Sequence, residues 1–96
     1  MNDIEEIMQV ISVGLIVATF LLNTGRARKT IEFCKEDLVL LNTIGPSMEM
    51  QICQTFYRAI RGIVFKGYRR ISDNTNAITC GRKLLAICRE CGELRS

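Results

Sequence analysis

Eighteen consecutive residues, Ile7 to Thr24, carry no charged side chain, in a chain of only 96 residues. A helix over this run is apolar around its whole circumference. Ile7, Ile11, Leu15 and Leu22 occupy one side, and Val10, Val13, Val17 and Phe20 the other. Such a helix must be covered on every side, by protein or by lipid. At 1.5 Å per residue it is roughly 27 Å long, the thickness of a thin hydrocarbon layer. Asp3, Glu5 and Glu6 precede the run, and Arg26, Arg28 and Lys29 follow it, matching the helix dipole at both ends. The spacing predicts a helix from Asp3 to Asn23 with Gly25 as the residue that ends it.

Three further segments read as amphipathic helices. The second runs from Thr30, as an N-cap, to Asn42, with Ile31, Cys34, Leu38 and Leu41 on one face, and Gly45-Pro46 stops it. The third starts at Ser47 as N-cap and carries the stripe Ile52, Phe56, Ile60, Ile63 and Val64, with Gly67 as its end. The fourth follows the polar loop 72–76, which supplies its cap, and turns Ala77, Cys80, Leu84, Ile87, Cys88 and Cys91 one way.

The expected fold is therefore all-α. It is one domain over residues 1–96, a small four-helix bundle around the N-terminal helix. Three short helices supply little surface to roof a helix that is greasy on all sides, so a homodimer completes the cover. Ile11, Leu15, Val17, Phe20 and Leu22 are the residues expected in the core, in the dimer contact, or in a bilayer. The alternative reading is a single span over residues 7–24 in a membrane accessory protein. The bases that follow the run would then put the C-terminal part in the cytosol.

Charge is unevenly divided. Residues 1–51 hold seven acids and four bases, and residues 52–96 hold three acids and nine bases, which gives net charges of −3 and +6. Arg58, Arg61, Lys66, Arg69, Arg70, Arg82 and Lys83 form the candidate polyanion-binding face, directed at nucleic acid or at an acidic protein surface. Arginine suits phosphate through its planar fork.

The chain has no His, which removes Ser-His-Asp and Cys-His catalysis and His-ligated metal. None of the common nucleotide-binding, hydrolase or metalloprotease motifs occurs. The expected function is a non-enzymatic accessory or regulatory binding protein with no catalytic residue and no cofactor. The odd count of five Cys excludes complete internal pairing. With an acidic start unlike a cleaved leader, it fits an intracellular, cytoplasmic setting. Cys88 and Cys91 make one CxxC, and with Cys80 they are weak candidates for a zinc site that would need a fourth ligand.

Overall fold

The computed structural model of the chain describes residues 3–93, with side chains over residues 4–89. It contains four α-helices: α1 Asp3–Asn23, α2 Ala27–Ile44, α3 Met50–Arg70 and α4 Asn74–Glu93. A short 3-10 turn, Gly45–Ser47, joins α2 to α3. No strand occurs among the described residues.

Two of the three connections use one device. After α1, the Gly25 N–H donates to the Leu22 carbonyl at 3.3 Å and the Arg26 N–H to the Leu21 carbonyl at 2.9 Å. Gly25 takes φ +80°, which glycine adopts without penalty, as its place after the helix predicts. After α3, the Ser72 N–H donates to the Arg69 carbonyl at 3.1 Å and the Asp73 N–H to the Tyr68 carbonyl at 2.9 Å. Here Ser72 stands at φ +60° where glycine would be the easier choice. Each motif hands the chain straight to the next helix. Arg26 precedes α2, and Asp73 caps α4 by accepting the Asn76 N–H at its Oδ1, 3.2 Å away.

Helix ends differ from expectation in three places. Thr30 lies inside the first turn of α2, buried, and its hydroxyl donates to the Arg26 carbonyl at 2.9 Å. Ser47 sits in the 3-10 turn, and Glu49 precedes α3 without a side-chain cap. Gly67 does not end α3, which continues to Arg70.

Consecutive helices pack as antiparallel neighbours, and each interface includes a glycine where a side chain would collide. A Cβ on Gly14 of α1 would stand 3.1 Å from the Phe33 ring of α2. On Gly67 of α3 it would stand 2.9 Å from Ile31 Cγ1 of α2. On Gly81 of α4 it would stand 3.3 Å from the Phe65 ring of α3. One core draws on all four helices: Ile11 and Ala18, then Cys34, Leu41 and Ile44, then Ile60 and Val64, then Cys80.

The expected central position of α1 is corrected. The most extensive packing is of α3 on α2 and on α4, and α1 flanks the array, lying chiefly on α2. Ile11 and Leu22 are buried and Leu15 half-buried, while Val17 and Phe20 are exposed with Val10, Val13 and Ile16. Helices α2 and α3 each supply an apolar stripe to both neighbours, so they take the middle. Helix α1 buries Ile11, Ala18 and Leu22 on one flank and leaves Val13, Ile16 and Phe20 bare on the other. By length and composition alone, the stretch Ile4–Asn23 could cross a membrane, and 17% of its most apolar window is buried.

Candidate polyanion-binding surface

Of the seven bases singled out on α3 and α4, Arg61 and Lys83 line one depression and Arg70 another. Arg61 and Lys83 line the same groove, between the C-terminal half of α4 and the start of α3, beside Met48, Met50, Tyr57 and Ile87. The Arg61 guanidinium lies over the Tyr57 ring at 5.8 Å, and that of Arg69 lies over the Phe65 ring at 5.9 Å. Tyr57, Arg61, Phe65 and Arg69 follow one another at i, i+4 intervals, so ring and cation alternate along one ridge of α3. Arg58 is half-buried, and Lys66 and Arg82 are exposed.

Arg70 belongs to a different group. Its Nη1 donates to the Leu22 carbonyl at 2.9 Å, which ties the end of α3 to the end of α1. This sets it in a depression lined by Gly25, Arg26, Arg28, Lys29 and Ile71. The turns after α1 and after α3 therefore lie at the same end of the bundle, and their bases converge there. The first turn of α2, with Arg28 and Lys29 exposed, lines this depression and adds positive potential. Asp73 caps α4 beside the turn after α3, and the Arg28 charge reaches it. Its carboxylate lies below the usual range, first because the Asn76 side chain donates to Oδ2 at 2.7 Å, then through the Asn76 N–H. The Arg28 charge acts in the same direction, which joins the two turns electrostatically.

Arg26, Arg28 and Lys29 were outside the face expected from sequence, because they sit in the acidic half of the chain. A signal was available. In an up-and-down bundle, the first and third turns share an end, so bases flanking those two turns must approach one another.

Two of the described cysteines, Cys34 and Cys80, are buried. Cys34 is fully buried, and burial followed by the nearby Asp37 charge pushes its thiol up to about 12. Burial also raises Cys80, which donates from Sγ to the Arg61 carbonyl at 3.3 Å. Neither is a thiolate at neutral pH. Among the described residues no three metal-ligating side chains converge. Cys88 is exposed, and the Cys91 side chain lies outside the described residues.

Comparison of the chain with protein-family models, with curated proteins and with solved structures found no match.

Proposed function

We propose that the protein is a small non-enzymatic binding module, acting as a homodimer, whose basic bundle end engages the phosphate backbone of a nucleic acid. The observation that carries this reading is the meeting of Arg26, Arg28 and Lys29 with Arg70 across two turns, in one open depression. Backbone phosphates ask for spaced positive charge without a demand for base contacts, and Arg forks meet them bidentately. Arg69, Arg61 and Lys83 extend the positive surface along the α3–α4 side, where the Tyr57 ring offers a stacking plane. Homodimerisation gives the bare side of α1 a cover and doubles the basic surface.

A titration of a fluorescent DNA duplex and a matching single strand, at several salt concentrations, tests this reading. The affinity is expected to fall steeply with salt. A chain carrying Arg26→Ala, Arg28→Ala and Lys29→Ala should bind at least about tenfold more weakly. Its salt slope should be shallower by about 0.9 for each phosphate that it no longer neutralises. Binding that ignores these three changes would end the proposal.

The membrane reading keeps one observation in its favour, the largely uncovered α1. Against it, a spanning α1 would have to leave the bundle. Ile11, Ala18 and Leu22, each 3% exposed or less, would be stripped from the core, and the Arg70–Leu22 hydrogen bond would break. Recovery of the protein only from membranes or micelles would favour that reading.

A further inference from the structure

The bare flank of α1 has a pattern of its own. Its outermost ridge is Gln9, Val13, Ile16 and Phe20, the last three being 59%, 71% and 63% exposed. Val10 and Val17, 55% and 38% exposed, border it on the side of α2. The ridge intervals are four, three and four residues. That series reads the same in both directions, and it is the apolar repeat of a helix-pair seam.

We propose that α1 is the dimer seam, with the α1 helices of two copies crossing antiparallel about a two-fold axis near residues 14 and 15. The proposal rests on the homodimer reading above and assigns it a surface, a direction and a register. The axis sets Val13 against the partner's Ile16, and Gln9 against the partner's Phe20. Each pairing occurs twice, as an isologous contact requires.

Charge fixes the direction. Exposed Glu6 opens the ridge, and exposed Arg26 follows its end. In the antiparallel arrangement Glu6 lies roughly 13 Å along the helix from the axis, and the partner's α1 ends at Asn23 roughly 13 Å from it on the same side, with the partner's Arg26 in the turn that follows. A parallel pair would set Glu6 beside Glu6 and Arg26 beside Arg26. Like charges in register oppose association, and opposite charges steer it. Ser12 and Thr19 on the far border donate to their own helix, to the Met8 and Leu15 carbonyls, both at 2.9 Å. Their hydroxyls therefore need no partner when the seam closes.

A second copy also suits this face better than lipid does. The core side of α1 is held by Ile11, Ala18 and Leu22, so only one flank is offered. That flank carries an acid and an amide within its ridge.

The test uses the full chain without detergent, first measuring mass by size exclusion with light scattering over a range of concentrations. A dimer is expected. Ile16→Glu, at a position outside the core, should weaken association at least tenfold while circular dichroism stays helical. Glu6→Arg and Arg26→Glu should each weaken it, and the two together should recover at least half of the combined loss. Register is read by disulfide trapping in a background with Cys88→Ser and Cys91→Ser. Chains bearing Val13→Cys mixed with chains bearing Ile16→Cys should cross-link to each other faster than either does to itself. A monomer at every concentration would overturn both the homodimer reading and this seam. A dimer indifferent to Ile16→Glu, or one that traps each single variant with itself, would overturn the seam and leave the homodimer standing. Stable mass only in neutral lipid vesicles or micelles would replace the second copy with lipid.

Discussion

Asp37 lays its carboxylate against Gly14: a Cβ built on the glycine would stand 2.7 Å from Oδ2 and 3.0 Å from Oδ1. Asp37 is 4% exposed, and its Oδ2 has no hydrogen-bond partner among the described residues. An acid so placed is costly when ionised. Burial, followed by repulsion from Glu36, pushes its pKa up from 3.8 to about 6. Between those two values the folded chain holds a proton that the unfolded chain has released. The stabilisation is therefore complete below the unfolded value and is lost as pH rises through about 6. Asp37→Asn removes the titration. The variant is expected to gain on the parent across the window from about pH 4 to about pH 7, ending roughly 1–3 kcal/mol more stable at neutral pH. Urea unfolding of both proteins at several pH values measures the difference. Parallel curves would mean that Asp37 finds a partner.

Two glycines of α3 should respond to alanine with opposite sign. A Cβ on Gly67 would meet Ile31 Cγ1 at 2.9 Å, and Ile31 is itself buried. Gly67→Ala therefore forces α2 and α3 apart and is expected to cost about 1–3 kcal/mol. Gly62 has no atom within 4 Å of such a Cβ. There alanine brings only its better helix propensity, a gain of up to about 1 kcal/mol. Thermal unfolding of the two variants side by side decides it. Equal losses would remove the close-packing explanation.

Ser72 offers a third measurement. Its φ of +60° is forced by the turn that ends α3, and an L side chain pays for that conformation. Ser72→Gly is expected to stabilise by about 0.5–1 kcal/mol, and Gly25→Ala, at φ +80°, to destabilise by a similar amount. Denaturant midpoints would show both. Loss of stability in Ser72→Gly would point to an unrecognised role for the hydroxyl.

These sites show what the sequence could reveal. The bounds of α1 were legible because acids, an unbroken apolar run, Gly25 and bases agree over Asp3–Asn23. A cap from the polar loop 72–76 followed from local side-chain chemistry, and Asp73 takes the role. The place of α1 was not legible. Hydropathy says that Val13, Ile16 and Phe20 need cover, and is silent on whether α2, another chain or lipid supplies it. Gly67 reads as a terminator in one dimension, yet its reason is Ile31, thirty-six positions earlier. Thr30 reads as a cap, yet its hydroxyl returns to the Arg26 carbonyl within the helix. The basic end stayed hidden for the same reason, since Arg28 and Arg70 meet only when two turns share one end.

Arg70 separates the structural from the binding role of that end. Its Nη1 bond reaches the Leu22 carbonyl, which already accepts the Gly25 N–H at 3.3 Å. The bond is partly buried and charge-assisted, so losing it should cost on the order of 1–2 kcal/mol. Arg70→Lys keeps the charge but lacks the planar fork that reaches around the α1 terminus. It is expected to lose about 1 kcal/mol of stability while keeping the salt slope for duplex DNA. Arg70→Met should lose the stability and also lower the slope by about 0.9. Unfolding and salt titrations on the same two variants give both readings. A lysine variant that binds as poorly as the methionine variant would show that geometry at this position, and not charge, serves the ligand.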